Sequence, residues 1–189
     1  MEQEQVNTYH FHNLSESNMT FEQVFQRIVE FIQKEPHGNY RLIVGTDSQV
    51  HKRNTVFITA IIIHRQGKGA WMCSRKEIIP RKMLHLHERI SKETSLTEQL
   101  AALFTEKHRD VLINLVLPHI YNGAGFTIEG HIDIGNGSRN KTREFVREMV
   151  ARIEAMGLQP VIKPNSYGAS SVANKYTKRN ALGPHRKIV

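Results

Sequence analysis

The sequence predicts an α/β domain in which helices cover both faces of a mixed β-sheet. After one predicted helix, three β-rich segments follow each other at residues 40–49, 55–64 and 68–79, and the short link at 65–67 indicates that the last two form a hairpin. After them, helical and strand patterns alternate towards the end of the chain. This order is typical of a mixed sheet with helices packed on it.

The chain has 189 residues, a length that suits one main domain with a single core. We predict that this domain spans residues 20–178. An N-terminal extension at 1–19 precedes it, since that segment has no sustained periodicity beyond a short strand-like run at 6–11. A basic C-terminal tail at 179–189 follows it.

The first two predicted elements are a helix and a central strand. Thr20 and Gln23 have the spacing of a capping box, and apolar residues recur after them at helical spacing. The sequence Pro-His-Gly-Asn at 36–39 ends this helix. In the strand at 40–49, the continuous apolar run at 42–44 indicates burial on both faces, so we place this strand in the centre of the sheet.

The second half of the chain carries the alternating elements. The helical region after Pro80 has one apolar stripe but does not show whether it is one helix or two. The apolar run that Pro118 ends is ambiguous in type. In chain order, the segments are the helical region at 81–108, the ambiguous run at 111–117, a strand at 126–134, a helix that contains 145–153, a strand at 161–163 and a short helix at 168–178.

The composition favours a basic protein with a polyanionic partner. Lysine and arginine number 26 against 18 acidic residues, which gives a formal charge of +8 and a pI near 9.7. No segment approaches the roughly 20 apolar residues of a membrane helix, and the first residues lack a secretory signal pattern. The single cysteine, Cys73, is predicted to be a core residue rather than a nucleophile. We expect a cytoplasmic protein, whose oligomeric state the sequence leaves open.

Two aspartates predict a metal site. Asp47 directly follows an apolar strand, and Asp133 has the same setting within the strand at 126–134. An unpaired carboxylate is costly to bury there, and two that meet repel each other unless a cation or a shared proton intervenes. Oxygen ligands of this kind suit Mg²⁺ or Mn²⁺. The alternative for either residue alone is an aspartate that caps a strand end.

A third acidic ligand is expected on the helical region at 81–108. At about 100° per residue, Glu93 falls within the apolar stripe, whereas Glu98 lies toward one flank. An acid on the core-facing side of the helix is what a metal site on the sheet needs. Glu93 is therefore the first candidate and Glu98 the second.

Eleven histidines do not predict a zinc site. The closest pairs lie at 10 and 12 and at 85 and 87, and positions two apart on a helix point in different directions. The cysteine partners of structural zinc are also missing. His131 is distinct because it shares a strand face with Asp133. It is expected to be a hydrogen-bonded core residue, and orientation of a water or a metal ligand is the alternative.

Four segments resemble the YkuK-type ribonuclease H-like family of predicted bacterial nucleases. They are Val-Gly-Thr-Asp-Ser-Gln at 44–49, His-Ile-Asp-Ile-Gly at 131–135, Lys-Pro-Asn-Ser at 163–166 and Ala-Ser-Ser-Val-Ala-Asn-Lys-Tyr-Thr-Lys at 169–178. The resemblance covers residues 20–178. It implies a ribonuclease H-like fold with a five-stranded mixed sheet in the order 3-2-1-4-5, flanked by helices on both faces.

The resemblance also implies an activity. The first and fourth strands of that fold are neighbours, which brings Asp47 and Asp133 together in a metal-dependent nuclease that hydrolyses RNA, RNA–DNA hybrid or structured DNA. Asp47 is expected to bridge the metals, and Asp133 with Glu93 or Glu98 to complete their ligands. The family's fourth acid corresponds here to Asn174, an amide without charge. A catalytically weak or inactive nucleic-acid-binding protein is therefore the alternative, and a protein-interaction role is a third reading.

The resemblance further implies six residues that contact the nucleic acid. Two of them directly follow Asp47 and are expected to touch sugar or phosphate. Two lie in the polar loop before a helix N-terminus, where anions bind readily, and an ordinary polar loop is the alternative there. Two lie in the last predicted helix, and one or the other of them is expected to face the scissile phosphate. These residues are Ser48, Gln49, Arg139, Lys141, Lys175 and Lys178.

Overall fold

The structure is a computed structural model and describes residues 9–135, 137, 142–168 and 170–171. Its centre is a five-stranded sheet in the order 3-2-1-4-5, which confirms the predicted fold. The strands are β1 (Asn39–Val50), β2 (Thr55–Arg65), β3 (Gly69–Ile79), β4 (Gly125–Gly135) and β5 (Gln159–Lys163). The helices are α1 (Phe21–Gln33), α2 (Leu86–Leu103), α3 (Glu106–Val116) and α4 (Val146–Ala155), with 3₁₀ turns at Leu117–Asn122 and Arg143–Phe145.

The sheet is mixed because its two halves are connected differently. β1, β2 and β3 pair antiparallel through short links, so the predicted hairpin is confirmed. Gly67, in the β2–β3 link, has a φ of 70°, a left-handed conformation that glycine adopts without strain. β4 pairs parallel to β1 on the other side, and β5 pairs parallel to β4. β1 therefore lies between two strands, as its continuous apolar run predicts.

The helix after β3 begins later than the sequence predicts. We expected it to start after Pro80, but α2 starts at Leu86. The Thr55 hydroxyl donates to the Arg81 carbonyl oxygen at 3.0 Å and accepts from the Met83 amide at 2.8 Å. These hydrogen bonds hold the segment before α2 against the start of β2, so tertiary contacts outweigh the local preference for a helix.

The predicted helical region at 81–108 is two helices. Phe104 is almost fully buried between them, and the Thr105 side chain caps α3 by accepting from the His108 amide. The ambiguous run at 111–117 is the C-terminal part of α3 and its junction with the following 3₁₀ turn.

The two faces of the sheet carry different side chains. Because side chains alternate along a strand, Leu42 and Val44 of β1 face the large core that is formed with α1 to α4. Ile43 faces the other way and packs with Ala60 and Ile62 of β2 in a smaller cluster. Gly168, where helical structure begins again, lies against that second face, since a Cβ built there would come within 2.8 Å of Ile43 Cγ2.

Residues before α1 also contribute to the core. Phe11 is fully buried and forms an isolated bridge with Met19, and His12 forms a second bridge with Ser74 of β3. Cys73 is buried as predicted, and burial raises the pKa of its thiol. Among the helices in the described ranges, none has the length and apolar character needed to cross a membrane.

Candidate metal centre

The centre of the site is a pair of aspartates on neighbouring parallel strands. The last paired positions of β1 and β4 are Thr46 and Ile132, and the next residue on each strand is an aspartate, Asp47 on β1 and Asp133 on β4. In a parallel pair, residues at the same register position point to the same face. The strand order thus brings together two carboxylates that are 86 positions apart in the sequence.

The electrostatics of the pair reflect this proximity. Burial raises the pKa of Asp47, and the charge of Asp133 raises it further. The Ser48 amide, which donates to Asp47 Oδ1 at 2.8 Å, and the positive charges of Lys163 and Arg89 partly oppose that increase. A cation near both aspartates would favour their ionised forms.

Glu93 lies on the side of α2 that faces β1. The residue is 7% exposed, and its Oε1 accepts a hydrogen bond from Ser48 Oγ at 2.5 Å. Burial raises the pKa of Glu93 to about 8, the Ser48 hydrogen bond opposes this, and the charge of Asp47 adds to it. The structure therefore brings Glu93 into electrostatic contact with the aspartates, and burial favours the protonated form of its carboxyl group.

Glu98 is directed elsewhere. It lies on the flank of α2 that packs against α4, and both of its oxygens accept from the Arg152 guanidinium, at 2.8 and 2.6 Å. Arg152 also donates to Ser91 Oγ at 2.9 Å and to Ser95 Oγ at 2.7 Å. Glu98 is thus part of a contact between two helices, and the structure does not bring it to Asp47 and Asp133.

Two positive side chains that the sequence analysis did not single out as site residues flank the acids. Lys163, at the end of β5, places Nζ 3.0 Å from Asp133 Oδ1. Arg89, one turn before Glu93 on α2, lowers the pKa of both Asp47 and Glu93, and its buried Nε has no hydrogen-bond partner among the described residues. The four-residue spacing of Arg89 and Glu93 on a predicted helix is a signal that could have identified Arg89. The contact between Lys163 and Asp133 depends on the β4–β5 register, which the sequence does not give.

His131 is a buried, hydrogen-bonded residue, as expected. Its Nδ1 accepts from the amides of Tyr167 and Gly168 at 3.2 and 3.1 Å. Nε2 is therefore the protonated nitrogen and donates to Glu129 Oε2 at 2.8 Å. This chain of hydrogen bonds fastens the segment after β5 to the strand that carries Asp133. Sequence reasoning missed Glu129, although Glu129, His131 and Asp133 alternate along one face of β4.

The predicted substrate-binding residues divide into two groups. Ser48 and Gln49 are half-buried in β1 directly after Asp47, and the Ser48 hydroxyl is engaged by Glu93. The other predicted contacts, together with Asn174, lie outside the described residues. They are Arg139, Lys141, Lys175 and Lys178.

The oxygen donors of Asp47, Asp133 and Glu93 are of the kind that a hard divalent cation prefers. All three acids present carboxylate oxygens, and Mg²⁺ needs one or two of them because it keeps several waters. Within the described ranges, no three or more His, Cys, Asp or Glu side chains are grouped closely enough to hold a metal ion. The candidate ligand set is thus the pair Asp47 and Asp133, with Glu93 bonded to Ser48 beside it.

This sheet order, with carboxylates at adjacent ends of the first and fourth strands, defines an α/β protein of the ribonuclease H-like class. The family model described as Ribonuclease H-like matches residues 23–178, and the chain belongs to that family. The chain is also 43% identical over 173 residues to the "Uncharacterized protein YkuK" of Bacillus subtilis (strain 168). That match covers 92% of this chain and 99% of the relative, and it confirms the resemblance to the YkuK type. No solved structure gives a significant match.

Membership in this family indicates a nuclease-type or nucleic-acid-binding function.

Proposed function

We propose that the protein is a nuclease that uses Mg²⁺ or Mn²⁺ to hydrolyse phosphodiester bonds in RNA, RNA–DNA hybrid or structured DNA. The observation that carries this proposal is the register of β1 and β4, which puts Asp47 and Asp133 side by side at the end of their pairing. Two half-buried carboxylates in that position are stabilised by a cation that both can bind. The basic composition, with a formal charge of +8, favours a polyanionic substrate.

The roles of the residues follow from their surroundings. Asp47 and Asp133 hold the metal, which when bound supplies positive charge that stabilises the phosphate oxygens in the transition state. Glu93 completes the acidic group once it gives up the proton that its raised pKa retains. Ser48 orients the Glu93 carboxyl group through its hydroxyl and Asp47 through its amide. In the reaction, a water oxygen bonds to phosphorus and gives up a proton, the bond from phosphorus to one sugar oxygen breaks, and that sugar oxygen takes up a proton.

The direct test is the substitution Asp47→Asn, which keeps the size of the side chain and removes its charge. We expect cleavage of labelled RNA, hybrid or structured DNA in the presence of Mn²⁺ to fall by at least about 100-fold, since the metal loses a charged ligand. The matched control is Asp110→Asn, because Asp110 is exposed on α3. Equal activity of the Asp47 variant, the Asp110 variant and the wild type contradicts the proposal.

A second candidate is a nucleic-acid-binding protein with little or no catalysis. It is favoured by the amide of Asn174 at the position where the resemblance places the family's fourth acid. In that case, the wild type shows no metal-dependent cleavage but binds labelled nucleic acid with an affinity that falls linearly with salt on a double-logarithmic plot. If the metal site is merely weakened, Asn174→Asp raises the cleavage rate at limiting Mn²⁺. If Asn174 is not a ligand position, the rate does not change.

A further inference from the structure

Lys163 occupies an irregular part of the sheet, next to the aspartates. The β4–β5 pairing shifts between His131 and Gly135, so Lys163 pairs with Gly135 rather than with Asp133. Asp133 lies inside the irregular stretch, and such irregularities redirect side chains beside functional sites. The Lys163 ammonium approaches Asp133 Oδ1 to 3.0 Å, and its positive charge also acts on Asp47.

The exposure of the Lys163–Asp133 ion pair allows Lys163 to exchange one anionic partner for another. The Lys163 side chain is 49% exposed and that of Asp133 is 27% exposed, and ion pairs that are this open to water contribute little to stability. In the described part of the chain, the Lys163 ammonium has no other hydrogen bond or ion pair. Arg152, by contrast, is held by Glu98 and two serines at once. A lysine ammonium on a flexible stem is well suited to move between two anions.

The position of Lys163 beside the candidate metal site indicates that its second anionic partner is a phosphate. A metal ion held by Asp47 and Asp133 would compete with Lys163 for the Asp133 carboxylate, whose Oδ1 the ammonium contacts. A phosphate that approaches this metal brings further negative oxygens within reach of the released ammonium. Lysine binds phosphate as a point charge, without the planar geometry that arginine requires.

We propose that Lys163 neutralises Asp133 in the metal-free protein. When metal and nucleic acid bind, the Lys163 side chain moves so that its ammonium contacts a phosphate oxygen of the bound strand. This inference rests on the proposed function. Lys163 thus competes with the metal before substrate binds and assists the substrate afterwards. Removal of its charge therefore has opposite effects on the two steps, which a surface ion pair without a role in the site does not produce.

The test compares Lys163→Met with Lys92→Met, which removes the same charge from another ion pair. Lys92 lies on α2, and its Nζ is 2.9 Å from Oε1 of Glu77, which lies on the edge strand β3. Mn²⁺ binding is first measured without nucleic acid by the loss of the free-ion signal in electron paramagnetic resonance. We expect Lys163→Met to bind Mn²⁺ about threefold to tenfold more tightly than the wild type, and Lys92→Met to match the wild type.

The second measurement is cleavage of labelled nucleic acid at saturating Mn²⁺. Lys163→Met is expected to lower kcat by about 10- to 100-fold, because a charge that acts on the phosphate is lost. Lys163→Arg is expected to retain most of the rate. Tighter Mn²⁺ binding together with a lower kcat supports the inference, and thermal unfolding curves show whether each variant is folded.

Two results overturn the inference, and they separate it from the proposed function. If the wild type binds Mn²⁺ in a manner that depends on Asp47, but the two methionine variants bind it with equal affinity, Lys163 has no such role and the metal site stands. If the wild type shows no Asp47-dependent Mn²⁺ binding, both proposals fail.

Discussion

The two sides of α2 place a glutamate in opposite environments, one without a paired positive side chain among the described residues and one with an arginine. Glu93, toward β1, is 7% exposed and bonded to a neutral hydroxyl, and burial raises its pKa to about 8. Glu98, toward α4, is paired at 2.6 Å with the Arg152 guanidinium. The two residues are five positions apart, which is about 140° around the helix. The surface that packs against each side, and not the residue type, decides whether the acid lies beside the two aspartates or pairs with an arginine of the neighbouring helix.

The largest expected effect is on catalysis. Glu93→Gln is predicted to lower the cleavage rate with Mn²⁺ by about 100-fold, since glutamine cannot supply the carboxylate that Glu93 would provide once it releases its proton on metal binding. Glu98→Gln is the matched change on the other side of α2 and is expected to stay within about threefold of the wild type, measured as kcat per folded molecule. Similar losses in both variants contradict the distinction between the two sides.

The next effect is on stability and its dependence on pH. The folded-state pKa of Glu93 is about 8 and lies above its ordinary value of 4.5, so the folded protein binds a proton that the unfolded chain releases. The resulting stabilisation is complete below about pH 4.5 and is lost as the pH rises towards 8. In metal-free buffer, Glu93→Gln is expected to be more stable than the wild type by about 2–4 kcal/mol at pH 8.5, and nearly equal to it at pH 4.5.

Denaturant unfolding across this pH range measures the difference. Glu98→Gln serves as the control and should keep the decline of the wild type, because it leaves Glu93 in place. A Glu93→Gln variant whose unfolding free energy declines with pH as steeply as that of the wild type contradicts the assignment of the raised pKa to this residue.

The smallest expected effect concerns the α2–α4 contact. Arg152→Ala removes the pairing with Glu98 and the hydrogen bonds to Ser91 and Ser95. We expect it to lower the free energy of unfolding by about 1–2 kcal/mol, because these groups are only partly buried. Mn²⁺ affinity should not change. A loss of Mn²⁺ affinity in Arg152→Ala is the result that would connect this side of α2 to the metal site.

Much of the fold follows from local patterns. The capping box at Thr20 and Gln23 fixes the start of α1, and the apolar run at 42–44 identifies β1 as a central strand. The start of α2 could not be predicted, because hydrogen bonds from Thr55, on a distant strand, hold the segment after Pro80 out of the helix.

The site is predictable to a similar extent. Asp47 and Asp133 are conspicuous because each is a charge next to an apolar strand, and the structure places them together. Helical angles rank Glu93 above Glu98, but they do not reveal that Arg152 pairs with Glu98. The contact between Lys163 and Asp133 depends on the irregular register of β5, which has no local signature in the sequence.

The most direct measurement of the central claim is a crystal structure of the protein soaked in Mn²⁺, with anomalous scattering data collected to locate the ion. We predict an anomalous peak at about 2.2 Å from one oxygen of Asp47 and one of Asp133, with Lys163 moved away from Asp133. A well-diffracting crystal with no peak between these aspartates, or with Mn²⁺ bound only elsewhere on the protein, contradicts the claim.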